Sequence, residues 1–161
     1  MKITKLETIL VKPRWLFLKI HTDEGIVGLG EPVVEGRALT VATAVAEIEP
    51  YLVGKDPTRV MHHWQAIYKH AFYRGGPVLT SALSGVEHAL WDITGKALGV
   101  PVYKLWGGPL RDRIKVYAHV RGNTVEEQIA HINECKAEGF RAFKTGPRTA
   151  SGQGVQRIIE T

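Results

Sequence analysis

The chain has 161 residues, 44% apolar and 23% charged, which suits one globular domain or one and a fraction, with enough apolar content for a core. Its net charge of +5 is spread as −1 over residues 1–50, +3 over 51–110 and +3 over 111–161, interleaved with acids; nucleic acid wants clustered cations, so it is not expected as a partner, whereas a small anionic substrate suits a modest positive field. No run of 18 apolar residues spans a membrane, Lys2, Lys5, Glu7 and Lys12 break up any signal-peptide core, and the single Cys135 makes no internal disulfide, so a cytoplasmic chain with no membrane partner is expected.

Residues 2–11 mix Ile3, Leu6 and Ile9 with polar residues and read as a half-buried strand; residues 15–22 read as a second. Asp23-Glu24-Gly25 supplies a turn into a short third strand, completing an antiparallel meander. Gly28 and Gly30 form a GxG, but no helix follows at once, which speaks against a dinucleotide site. A first helix runs over about 38–52 and stops at Gly54. Asp56-Pro57 reads as an N-cap acid and first-turn proline opening a second helix, with Val60, Trp64, Ile67, Tyr68 and Ala71 on one apolar face. Gly76-Pro77 opens a third, whose seam is Leu79, Leu83, Val86, Leu90, Ile93 and Ala97. Asp92 and Lys96 make an i,i+4 pair, Gly99 ends the helix and Pro101 prevents its resumption.

The pattern then changes. Residues 114–120 read as a strand, 124–140 as a helix with Val125, Ile129 and Ile132 inward, and 141–146 as another strand, which together make a βαβ unit with a parallel pair. The Gly-containing stretch 149–154 reads as a loop. Adjacent His62 and His63 cannot point one way on a helix and are not a ligand pair; Cys135, three residues beyond Ile132, reads as an inert core thiol. No clustered Cys/His or P-loop is present.

Ala82, Ser84, Gly85, Glu87, Ala89-Leu90, Asp92-Ile93, Gly95-Lys96, Pro101-Val102, Leu105 and Gly107 carry a resemblance to the enolase superfamily, in its mandelate racemase and muconate-lactonising branch. The segments TDEGIVGLGE, GKDP and FYRGGP resemble the galactonate dehydratases of that branch and, next to them, the mannonate dehydratases; the likeness covers roughly residues 1–147. It implies an α+β capping domain over residues 1–112, a meander plus three helices, followed over 113–161 by the first β/α units of a (β/α) barrel. A whole barrel takes about 250 residues, so the chain is expected to hold only its start.

The resemblance also implies a lyase. The whole enzyme would take the proton α to a sugar acid's carboxylate and expel the β-hydroxyl as water. Mg²⁺, held by three carboxylates on the third, fourth and fifth barrel strands, would support it, with a His–Asp base later still. None of those positions falls in this chain, so the 161 residues alone are expected to be inactive, and symmetric homo-oligomers are the family's habit. By the same resemblance two specificity loops fall at residues 12–15 and 32–37. Arg14 would pair with a carboxylate and Glu35 with substrate hydroxyls, or both are plain surface residues. His119, on one strand face with Lys115 and Tyr117, would bind substrate at the barrel mouth, as a matching His does in mannonate dehydratases, or is a structural His. Lys144 resembles the first lysine of the racemases' Lys-x-Lys pair, or is an exposed lysine; Gly146 stands where the second would be, which favours a dehydratase over a racemase. The rival reading is a stand-alone capping domain that binds a partner chain.

Overall fold

The computed structural model describes residues 1–145. The chain divides into two compact units, Met1–Pro109 and Leu110–Thr161.

In the first unit, strands β1 (Ile3–Val11), β2 (Trp15–Thr22) and β3 (Val27–Gly30) form an antiparallel sheet in the order β1-β2-β3. The hairpin register runs from Lys5↔His21 to Val11↔Trp15. Strict alternation would not bury both Ile3 and Leu6, which lie three apart; a register shift between Ile3 and Lys5 turns both inward. The Leu6 N–H donates to Glu49 Oε1 at 2.8 Å. On β2 the alternation is regular, with Leu16, Leu18, Ile20 and Thr22 buried.

Three helices follow, α1 (Ala38–Leu52), α2 (Val60–Lys69) and α3 (Pro77–Leu98); α1 and α3 pack on the sheet and α2 packs on α3. The core joins Leu16, Leu18 and Ile20 of the sheet to Val41, Val45 and Leu52 of α1 and to Val86, Leu90 and Ile93 of α3. The expected α3 seam holds in its middle, where Leu83, Val86, Leu90 and Ile93 are buried, and fails at its ends, where Leu79 and Ala97 are exposed. Ala82, Gly85, Ala89 and Gly95 are buried as well; Gly85 and Ala89 let the β3 segment approach, and Gly95 lies against Val100 and Val102. A Cβ at Gly28 would overlap the Ala89 carbonyl oxygen, one at Gly30 the Gly85 carbonyl, and one at Gly85 Pro32. The two glycines of the GxG are therefore packing glycines, placed where strand and helix backbones touch.

Gly76 precedes Pro77 at the first position of α3, and Gly99 closes the helix in the left-handed region at φ 67°. Asp56 does not cap α2. Its Oδ1 accepts from the Thr58 N–H at 2.9 Å and the Thr58 hydroxyl at 2.7 Å, an Asx turn, and the helix begins at Val60 with Arg59 as N-cap. The expected α2 face is also narrower: Val60 and His63 are buried, Trp64 and Ile67 half-buried, and Tyr68 and Ala71 exposed. Pro101 precedes a one-turn helix, α4 (Val102–Leu105), and Trp106 beyond it meets Trp91 of α3 edge-on at 5.7 Å between ring centres.

In the second unit β4 (Ala118–His119) pairs in parallel with β5 (Phe143–Lys144), and α5 (Val125–Ala137) connects them. Both strands are shorter than expected over 114–120 and 141–146. Among the described residues each has only the other as partner, so the ladder is two residues long. Thr124 and Glu127 form a reciprocal capping box at the start of α5. Val125 and Ile129 are exposed rather than inward, Ile132 is half-buried and Cys135 is buried. Residues 149–154 lie outside the described residues.

Candidate functional site

Arg14 sits in the hairpin tip, where Lys12-Pro13-Arg14 links Val11 to its register partner Trp15 across a cis Lys12–Pro13 bond. Glu35 sits in the loop from β3 to α1, beside a turn made by Gly36 at φ 74° and the Arg37 N–H to Val34 carbonyl bond of 2.9 Å. The structure brings the two together. Arg14 Nη1 lies 3.2 Å from Glu35 Oε1, and the guanidinium lies over the Trp15 ring at 5.2 Å from its centre. Both side chains are open to solvent, at 50% and 72% exposure.

His119 and Lys144 are register partners across β4 and β5, at the ends of the two strands. Tyr117 joins them: its ring centre is 5.4 Å from that of His119, and Lys144 Nζ lies 5.8 Å from the Tyr117 ring centre. One face of the parallel pair therefore presents an imidazole, an ammonium and a phenol. The i,i+2 alternation already placed Tyr117 with His119; its contact with Lys144 needed the register, which the sequence does not carry.

The expected i,i+4 pair Asp92–Lys96 forms, and it ties α3 to β3. Lys96 Nζ donates to Asp92 Oδ2 and to the Val27 carbonyl, each at 2.7 Å, and the Leu29 N–H donates to Asp92 Oδ2 at 2.8 Å. Two backbone groups of edge strand β3 are thereby occupied.

His63, unlike its exposed neighbour His62, is fully buried. Its Nε2 donates to the Asp56 carbonyl at 2.8 Å, which can only accept, so Nε2 carries the proton; Nδ1 then accepts a hydrogen bond from the Tyr51 hydroxyl at 3.0 Å. Burial pushes its pKa below the ordinary value, with His62, Arg59 and Lys55 adding to the shift and the Asp56 carbonyl opposing it. Its Val60+3 position on the helix face was the signal for burial. Cys135 lies 3.6 Å from His131 Nδ1.

An apolar cavity of about 320 Å³ lies among α1, α2 and α3, lined by residues that include Ile48, Ile67, Leu79 and Leu83; none of the four candidate residues lines it. Among the described residues there is no group of three or more His, Cys, Asp and Glu side chains that could hold a metal ion. No helix among them is long and apolar enough to cross a membrane.

A three-stranded antiparallel sheet with helices packed on one face, the last leading through a Gly-capped exit into a one-turn helix, defines an α+β domain of the enolase N-terminal capping type. Residues 6–107 match the family described as mandelate racemase / muconate lactonizing enzyme, N-terminal domain, and the chain belongs to that family. It is 58% identical over 144 residues to D-galactonate dehydratases of Pectobacterium atrosepticum and of Klebsiella pneumoniae, a match that covers 89% of this chain and 38% of each relative. The chain thus spans well under half the length of those relatives. A solved enolase from Pantoea ananatis with bound D-gluconate and Mg superposes with a TM-score of 0.84 at 39% identity, over 90% of this chain and 36% of that one.

Proposed function

We propose that these residues are the N-terminal part of a sugar-acid dehydratase of galactonate type, a lyase that removes the proton α to a carboxylate and expels the β-hydroxyl as water. The observation that carries the reading is the 58% identity to D-galactonate dehydratases, sustained over 144 residues rather than confined to a motif. Residues 1–112 are the capping domain, and residues 113–161 open a (β/α) barrel whose remaining strands would bring the metal carboxylates and the base. The parallel β4–α5–β5 unit supports that assignment, because a parallel pair joined by a helix is the repeating element of such a barrel. When bound, Mg²⁺ would supply a Lewis acid for charge developing on the substrate carboxylate; among the described residues no three His, Cys, Asp or Glu side chains gather to hold it, and the work proposed for them is binding.

In that role Arg14 takes a carboxylate, Glu35 accepts hydrogen bonds from substrate hydroxyls, and His119 and Lys144 meet the sugar acid at the strand ends where barrel sites lie. Gly146 in place of a second lysine favours elimination over racemisation.

The test is a chimera. Residues 1–144 of this chain replace the matching segment of the Pectobacterium enzyme, and 2-keto-3-deoxy acid formation is followed across a panel of aldonates with Mg²⁺. D-galactonate should be the preferred substrate, and the 161-residue chain alone should turn over none. A folded chimera that prefers a different aldonate, or turnover by the 161-residue chain that tracks the protein through purification, would overturn the reading.

A further inference from the structure

The three-stranded sheet has two edges, and the molecule treats them differently. On β3 the Val27 carbonyl accepts from Lys96 Nζ and the Leu29 N–H donates to Asp92, so α3 occupies that edge. On β1 the cover is partial. The Gly54 N–H donates to the Ile3 carbonyl at 2.8 Å, the Ile3 N–H donates to the Lys55 carbonyl at 2.9 Å, and the Leu6 N–H donates to Glu49 Oε1. Backbone groups that point away from a neighbouring strand recur at every second residue, so Thr8 and Leu10 point outward as Leu6 does. The opposite edge gives the same parity. Leu29 points away from β2, so its register partner Lys19 turns its backbone to β1, where it meets Glu7, and Thr8 then turns out. Among the described residues nothing bonds the backbone of Thr8 or Leu10 on that side. The Thr8 and Val11 side chains are exposed, and Leu10 is 52% exposed. Residues 8–11 carry no charge and no proline, the usual guards against strand addition.

We propose that this open end of β1 is an interface for a second copy of the chain, which adds its own residues 8–11 antiparallel across a two-fold axis at Ile9 and joins two three-stranded sheets into one of six strands. The open groups select the register. With Thr8 of each copy opposite Leu10 of the other, both outward N–H groups of each copy donate and four backbone bonds form. Setting Thr8 opposite Thr8 would call on the Leu6 N–H, which Glu49 already holds. Setting Leu10 opposite Leu10 would call on Lys12, which lies beyond β1 in the hairpin loop.

Two features of that register favour a second copy over an unrelated strand. Ile9 meets its own mate on the outer face, and because Ile9 is the register partner of Phe17, an unbroken apolar row Phe17–Ile9–Ile9–Phe17 runs across both copies. Lys12, which has no ion pair within its own chain among the described residues, falls opposite Leu6 of the second copy, where that copy's Glu49 carboxylate sits. The two-fold axis makes each of these contacts twice. An interface this short is a weak one, so the dimer forms at high concentration and parts on dilution.

Sedimentation equilibrium of the 161-residue chain between about 10 µM and about 1 mM should show reversible dimers. Thr8→Pro removes an outward N–H without removing a bond to β2, and by symmetry it deletes two bonds per dimer. It should weaken association by about tenfold or more. Ile9→Lys sets two like charges on the axis and should do the same; it decides the matter if Thr8→Pro does not fold. Folded variants of both kinds that dimerise like the wild type would place association elsewhere, for instance on the strands of the second unit, and overturn the proposal. A wild-type chain that stays monomeric throughout would leave the edge to some other strand and overturn it as well.

Register is read by cross-linking in a Cys135→Ala background with oxidised glutathione. At the Ile9 pair the two Cα atoms would lie about 4.5 Å apart, within reach of a disulfide, whereas the two Val11 Cα atoms would lie about 14 Å apart. Ile9→Cys should give a covalent dimer and Val11→Cys little or none. Equal yields at the two positions, or a higher yield at Val11, would overturn the two-fold pairing.

Discussion

His63 ties three segments by one side chain: Tyr51 from α1, the Asp56 carbonyl from the Asx turn, and its own helix α2. Because the folded protein holds the ring neutral and buried, its pKa lies below that of the unfolded chain, which is about 6.5. The unfolded chain therefore binds more protons as the pH falls below that value. The stabilisation is complete above about pH 6.5 and is lost as the pH drops through the folded pKa, with one proton bounding the slope at about 1.4 kcal/mol per pH unit. Denaturant midpoints measured from pH 8 to pH 5 should decline more steeply in the wild-type chain than in His63→Gln, whose amide can still donate to Asp56 but does not titrate. Parallel slopes would show that His63 is not the acid-sensitive group. The same residue shows what a linear reading misses. Neighbours on a helix cannot both point one way, and the same geometry that speaks against a ligand pair leaves His62 exposed and turns His63 to the core.

At the scale of elements, the contact between β3 and α3 is set by what is absent from the side chains. Gly28 and Gly30 face Ala89 and Gly85, and a methyl group at either glycine would meet a helix carbonyl oxygen. Backbone cannot yield as a flexible side-chain tip does, so Gly28→Ala should push strand from helix and destabilise the first unit by about 1–3 kcal/mol, the range for overpacking a tight core. Gly25→Ala is a different case: nothing lies near its Cβ, but its φ of 79° makes the strain conformational. Thermal unfolding of Gly28→Ala indistinguishable from wild type would show that the two elements do not touch as described. Helix bounds were legible where local chemistry sets them. Gly76-Pro77 and Gly99 fix α3 at both ends, and Ala38–Leu52 begins and ends as its pattern implies. The start of α2 was not, because Asp56-Pro57 signals either a helix N-cap or an Asx turn, and the Thr58 contacts that decide between them are absent from a pattern. Periodicity likewise named the middle of the α3 seam and overran it at Leu79 and Ala97, since spacing says which residues share a face and not how far the partner surface extends. Family likeness named residues 12–15 and 32–37; that Arg14 and Glu35 meet was not legible, because they are brought together only by the folded sheet.

At the scale of the whole molecule, the two units differ in how they are held. The first has a continuous core of fully buried Leu, Ile and Val from the sheet, α1 and α3. In the second the parallel ladder is two residues long, and large apolar side chains stay in solvent: Ile114 at 79%, Val116 at 62% and Ile129 at 53% exposure. Hydrophobic burial scales with area removed from water, so most of what these side chains could contribute is not realised in this chain. A two-stranded sheet is marginal without further strands or a covering layer, and α5 has Cys135 as its one buried side chain. Local opening costs little where buried contacts are few. Hydrogen exchange on the 161-residue monomer should therefore show amides of residues 82–96 protected to near the global unfolding limit, while those of 118–120 and 143–145 exchange at least a hundredfold faster. A hundredfold difference corresponds to about 2.7 kcal/mol of opening free energy, well inside the gap between a packed helix seam and a two-residue ladder. Equal protection in the two sets, in a sample shown to be monomeric, would mean that Ile114, Val116 and Ile129 are covered in solution and that the second unit is stabilised by contacts beyond its parallel pair.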